Sequence, residues 1–169
     1  MSRKGRLIGF ERILQRMSDR VAEVKEKMLS ADAQPADVGA QIAAAYACDR
    51  YGTETDAIRY YDAAWALGVP DDQRRRFMVG YGSTLRNVGR VTGAVDVLRQ
   101  SITESPEYAP HHAFLALALH DLGEHDAALG SALTALLEAG AVSLDGYDRA
   151  LSYYRDVLTS AIRRDHSEP

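Results

Sequence analysis

The stretch Y81-GSTLRNVGRVTGAVDVLRQS-I102 carries three glycines, Gly82, Gly89 and Gly93, inside an apolar pattern with helical spacing. Glycine costs a helix interior about 1 kcal/mol relative to alanine. The pattern therefore reads as two helices, not one. Gly89 is placed just past the end of the first, where a left-handed residue stops a helix and glycine takes that conformation without penalty. Gly82 falls inside the first helix, where a missing side chain lets a neighbouring helix come close. Gly93 falls in the first turn of the second.

The same arrangement occurs three times. Gly52 precedes Ala57, Gly89 precedes Ala94 and Gly123 precedes Ala128, each by five residues, and the glycines stand 37 and 34 residues apart. A helical pattern of about 14 residues lies before each glycine and one of about 12 after it. A fixed period of this size is the mark of stacked helical hairpins. Alternating β-branched runs are absent, so the chain reads as all-α.

Two segments flank the repeats. Phe10, Leu14, Met17, Val21, Val24 and Met28 step by 4, 3, 4, 3 and 4, an apolar stripe on an N-terminal amphipathic helix spanning 1–30. "SADAQPAD" (30–37) breaks it, since Pro35 biases its predecessor away from helical angles, and Asp32 or Asp37 can cap the next helix. At the other end, 143–164 reads as a capping helix begun by Ser143 or Asp145. Tyr147, Leu151, Tyr154, Leu158 and Ile162 form its inward stripe, and 165–169 is a disordered tail.

The 169 residues are 46% apolar and 26% charged, ordinary for a soluble domain. A net charge of −4 argues against a nucleic-acid surface. No apolar run approaches the roughly 20 residues needed to span a bilayer, and the basic start lacks the apolar core of a secretory signal. One cysteine, Cys48, excludes an intrachain disulfide and a cysteine zinc cage. A cytoplasmic protein with neither nucleic-acid nor membrane partner is the expectation.

The repeated residues resemble the tetratricopeptide repeat family, a 34-residue helix–turn–helix unit. Its pattern is W-x2-L-G-x2-Y in helix A, then A-x3-F-x2-A and a closing proline. The matching positions hold Gln41, Ala44, Ala45 and Cys48, then Ala57, Tyr61 and Ala64, in a first repeat near 38–71. They hold Met78, Tyr81, Gly82 and Leu85, then Ala94, Leu98, Ser101 and Pro106, in a second near 75–108. They hold His112, Leu115, Ala116 and Leu119, then Ala128, Ala132 and Ala135, in a third near 109–142. The small positions hold throughout and the tryptophan position fails in all three. The resemblance implies a right-handed superhelical array of three hairpins over 36–142 with capping helices at both ends.

It also implies a function. Helix A of each repeat lines a concave, peptide-binding face, whose places here fall on Tyr46, Asp49 and Arg50, on Arg76, Ser83, Arg86 and Asn87, and on Leu117, His120 and Asp121. Some family members hold a terminal carboxylate in a Lys/Asn clamp. Ile42, Tyr46, Val79, Ser83, Ala113 and Leu117 occupy the equivalent places, so that clamp is not reproduced, and Arg76 and Arg86 are the candidates for an acidic peptide instead.

Chemistry leaves fewer marks. His111, His112, His120 and His125 cluster in sequence, but His112 and His120 are about 12 Å apart along a helix, so packing and capping roles are preferred to a metal. Cys48 sits at a buried helix-A place, where cysteine is a small apolar group. "RRRF" (74–77) follows two aspartates and reads as a solvated helix start. No phosphate loop, dinucleotide fingerprint or G-x-S-x-G occurs. The reading is a protein-binding scaffold without catalysis or cofactor. The alternative is a structural protein dimerising through the 10–28 stripe, whose spacing suits a coiled-coil seam. A third is a metal-dependent enzyme using His112, His120 and Asp121.

Overall fold

The computed structural model describes residues 3–140 and 148–165. Their regular structure is entirely α-helical: α1 (Arg3–Ala33), α2 (Val38–Tyr51), α3 (Glu54–Leu67), α4 (Asp71–Asn87), α5 (Val91–Glu104), α6 (Ala109–Asp121), α7 (His125–Ala139) and α8 (Asp148–Asp165). The chain divides into two compact units at the Val69–Pro70 bond. Within each unit, consecutive helices pack as hairpins.

In the first unit, α1 continues three residues beyond the expected break, to Ala33. Asp37 then starts α2. Its backbone is extended and its carboxylate accepts from the Gly39 and Ala40 amides at 2.8 and 3.1 Å. Asp32 instead accepts from Arg59 at 3.2 Å and from the Tyr60 hydroxyl at 3.1 Å, tying the end of α1 to α3. Thr53 caps α3, accepting from the Asp56 amide at 3.1 Å. Ile42, Ala44, Ala45 and Cys48 of α2 and Ala57, Tyr60, Tyr61 and Ala64 of α3 are buried where α2 packs between α1 and α3. Gln41, at the family's tryptophan place, is also buried. Its amide donates to the Ala31 and Gln34 carbonyls at 2.9 and 3.3 Å, a second bond on acceptors that already take the Gln34 and Asp37 amides, and so ties α2 to the turn that follows α1.

The stripe on α1 divides in two. Val24 and Ala31 are buried, whereas Leu14, Met17 and Val21 are exposed. Length explains this. The 31 residues of α1 span about 46 Å, and α2, packed along it, spans about 21 Å with 14 residues.

In the second unit, α4–α5, α5–α6, α4–α6, α6–α7 and α7–α8 are in contact. Gly89 and Gly123 close α4 and α6 in the left-handed region, with φ of 82° and 81°. Both make the same pair of bonds. Arg90 N donates to Leu85 O at 2.8 Å and Gly89 N to Arg86 O at 3.0 Å; Glu124 N donates to Leu119 O and Gly123 N to His120 O, each at 3.0 Å. This is the six-to-one, five-to-two pattern of a Schellman end. Gly52, aligned with them in sequence, has φ −106° and instead bonds Cys48 O at 2.8 Å.

Gly82 is the close-approach position: a Cβ there would stand 2.7 Å from Leu98 Cγ. Gly93 is under no such demand, because a Cβ would meet Leu85 at 3.9 Å, ordinary contact. Gly93→Ala is expected to stabilise the protein by about 0.5–1 kcal/mol through reduced unfolded-state entropy. Thermal unfolding checks this; an unchanged or lower Tm contradicts it.

On α8, Leu151 is half-buried but Tyr154, expected to face inward, is 58% exposed, beside Tyr153 at 65%. Ser143, Asp145, Tyr147 and the tail beyond 165 lie outside the described residues, as do the side chains of Leu158 and Ile162.

Candidate functional site

The residues expected to line a binding face separate between the two units. In the first, Tyr46, Asp49 and Arg50 lie along α2. Tyr46 is half-buried and meets the Tyr61 ring edge-on at 6.1 Å. The Tyr61 hydroxyl donates to Asp49 at 3.3 Å, so α3 holds both groups in place from behind. Arg50 is exposed and lies 5.8 Å from the centre of the Tyr51 ring.

In the second unit, α4 and α6 pack together and bring one group of expected residues into contact. Arg86 Nε stands 2.7 Å from Asp121 Oδ2, and His120 Nδ1 stands 3.6 Å from Asp121 Oδ1. The Arg86 guanidinium beside it, helped by His120, holds the Asp121 carboxyl below the usual carboxylate range. Arg86 Nε is itself buried, so this contact is shielded from solvent. Arg86 also reaches Asn87 Oδ1 at 3.4 Å. The His120 and His125 rings lie 5.1 Å apart across the Gly123 turn. Leu117, one turn before Asp121, is 46% exposed. Ser83 is half-buried and Arg76 exposed on α4.

This pairing changes the chemistry expected of the face. The charge of Arg86 is already matched by Asp121, so an acidic peptide would have to displace a carboxylate to use it. What the α4–α6 face offers is an apolar anchor at Leu117 beside a set of polar groups able both to donate and to accept.

The triple arginine is more than the solvated helix start expected of it. Arg74 makes a two-pronged contact with Glu104 at 2.7 and 3.1 Å, which holds the Glu104 carboxyl below its ordinary range. Arg75 lies 4.6 Å from the centre of the Tyr108 ring. Its carbonyl accepts from Nε2 of His111, a fully buried residue, at 3.0 Å. These groups fix the start of α4 against α5 and α6, and Asp71, Arg74, Arg75, Glu104 and Ser105 line a cleft of about 450 Å³. The signal lay in the separation of about one repeat between Arg75 and His111, which sets them on neighbouring helices.

The remaining histidine of the sequence cluster, His112, bonds Pro106 O through Nε2 at 3.3 Å, and burial pushes its pKa below the ordinary value. Ser131 of α7 donates to its carbonyl at 2.9 Å. Among the described residues no three His, Cys, Asp or Glu side chains converge as a metal site requires. No described helix is long and apolar enough to cross a membrane.

Comparison with known proteins bears on the architecture. No curated protein matches the sequence. A solved structure, the crystal structure of MamA, matches with a TM-score of 0.61 and 18% identity, over 91% of this chain and 95% of that one. At that identity the likeness concerns the fold alone. A family profile described as Tetratrico peptide repeat matches residues 39–158. With hairpin following hairpin and small residues at their contacts, the chain belongs to the tetratricopeptide repeat family.

Proposed function

We propose that this protein is a protein-binding scaffold without catalytic chemistry, built on three repeats near 38–71, 75–108 and 109–142. The binding faces are the helix-A surfaces. In the second unit this is the α4–α6 face bearing Arg76, Ser83, Arg86, Asn87, Leu117, His120 and Asp121. In the first it is the α2 face bearing Tyr46, Asp49 and Arg50.

One observation carries the reading. Leu117 is a large apolar side chain left 46% exposed beside an arginine–aspartate pair and an exposed histidine. Binding interfaces are built around an aromatic or aliphatic anchor with a polar rim whose hydrogen bonds are satisfied, and arginine is among the residues that contribute most there. The partner segment that fits is a peptide with an apolar side chain for Leu117 and neutral polar groups on either side, in preference to an acidic one.

A photo-crosslinking residue at position 117, compared with one at Gln100 on α5, tests this in cells. Position 117 is expected to capture a discrete partner that position 100 does not. Leu117→Asp is expected to weaken that complex by about thirtyfold, the loss of a single hot spot. Equal capture from both positions, or a complex indifferent to Leu117→Asp, would remove the α4–α6 face as the site.

A further inference from the structure

We propose that the N-terminal part of α1 is an interfacial arm that docks on an anionic lipid surface, carrying the repeats with it. The proposal goes beyond the scaffold reading and does not depend on the α4–α6 face.

The geometry comes first. Every residue from 11 to 23 is exposed, because α2 covers only the later part of α1. Within that span Ile13, Leu14, Met17 and Val21 are 49–65% exposed. At about 100° per residue these four occupy one arc of about 100°. Arg20, Arg16 and Arg12 come next to Ile13 in a second arc of about 80°. Arg20 lies 4.9 Å from the centre of the Tyr51 ring, which leaves Arg12 and Arg16 as the outer pair. Ser18, Glu11, Gln15 and Asp19 fill the third sector. Over residues 11–21 the helix thus has an apolar sector, a basic sector on one side of it and a polar sector, carrying Glu11 and Asp19, that closes the circle between Arg12 and Leu14. A helix lying in a membrane interface has this arrangement: apolar side chains sink toward the acyl boundary and long arginines reach the head groups.

Charge supplies the occupant. Residues 1–20 hold six basic side chains against two acidic, a net of +4. The remaining residues hold fourteen against twenty-two, a net of −8. Such an asymmetry points to an anionic partner for the basic segment. A second α1 would set like charge against like. Ile13 also lies outside the 4-3 positions and widens the face beyond a two-helix seam. The arm from Arg3 to Ala22 is about 30 Å long, several Debye lengths at physiological salt, so its outer end can reach an anionic surface with the acidic α2–α3 part of its own unit held off. The lack of a spanning segment and the acidic whole-chain charge do not oppose this, because an interfacial helix needs neither a span nor a basic protein.

Sedimentation of the full chain with vesicles tests the proposal. Binding is expected to phosphatidylserine–phosphatidylcholine vesicles of about 3:7 and not to phosphatidylcholine alone, and it is expected to weaken with salt. Arg12→Gln with Arg16→Gln is expected to lower partitioning about thirtyfold, each arginine contributing near the surface. Leu14→Glu with Met17→Glu is expected to abolish it while leaving the circular dichroism spectrum unchanged, since both side chains are exposed. Absence of binding, equal binding to both vesicles, or binding that survives either pair of substitutions overturns the proposal. So does lipid-free, salt-sensitive self-association lost in Arg12→Gln/Arg16→Gln, which would seat the arm on the acidic surface of a second copy.

Discussion

Gly82→Ala is expected to destabilise the protein by about 1–3 kcal/mol, although alanine is the better helix former by about 1 kcal/mol. Gly82 sits within α4, and a Cβ there would stand 2.7 Å from Leu98 Cγ and 3.0 Å from each Leu98 Cδ. The clash is with the branch point of a fully buried side chain, not with a movable tip. Leu98 stands among other buried residues of α4 and α5, with Leu85 and Ala94 nearby in sequence register. Relief therefore requires α5 to shift or Leu98 to leave its rotamer. Leu98→Ala alone is expected to cost about 2–5 kcal/mol through the cavity it leaves. The double variant is expected to be more stable than Leu98→Ala alone, since the new methyl enters that cavity. Urea unfolding of all four proteins measures the coupling. Strict additivity would show that the helices do not touch there, and the hairpin packing would lose its main support.

The repeat architecture was legible because the same physical demand recurs. Wherever helix B meets helix A the site admits only a small residue, and Ala57, Ala94 and Ala128 are buried at those places. Wherever helix A of the later hairpins turns, the backbone is left-handed, and Gly89 and Gly123 mark it. Gly52 stands at the same place in sequence without adopting that conformation, because Thr53 starts α3 from an extended residue directly after it. A residue type records what is permitted, and the neighbouring cap decides what is used.

Two features of the candidate surfaces were not legible, for different reasons. The pairing of Arg86 with Asp121 joins residues 35 positions apart, close to one repeat, so the spacing places them on adjacent helices. Which rotamers they take, and hence whether Arg86 is open to a ligand or occupied by Asp121, depends on the packing of α4 against α6. The division of α1 has no local mark at all. The stripe from Phe10 to Met28 is unbroken in sequence, and what separates its covered from its uncovered half is the length of a different helix, α2. Net charge hid the same feature, since −4 is the sum of two segments of opposite sign.

Cys48 is expected to react with a thiol reagent at pH 8 at least about a hundredfold more slowly in the native protein than in denaturant. It is a free thiol, 1% exposed, on the face of α2 that meets α3. Burial, reinforced by the carboxylates of Asp56, Asp32 and Asp49 and opposed by Arg59, raises its pKa from 9.0 to about 11. The thiolate is the nucleophile. At pH 8 about one molecule in a thousand would carry it, against about one in ten at the unshifted value, before any loss of access is counted. Where modification proceeds through opening of the α2–α3 hairpin, its rate reports the population of the open form. Raising the pH from 8 to 9 is expected to accelerate the native reaction about tenfold if reaction occurs within the folded state, the thiolate fraction growing with pH throughout this range. It is expected to accelerate it less if opening is required, because the exposed thiol in the open form is already partly ionised. A native protein that reacts at the denatured rate would mean that α3 does not cover this face of α2, and the first unit would have to be built differently.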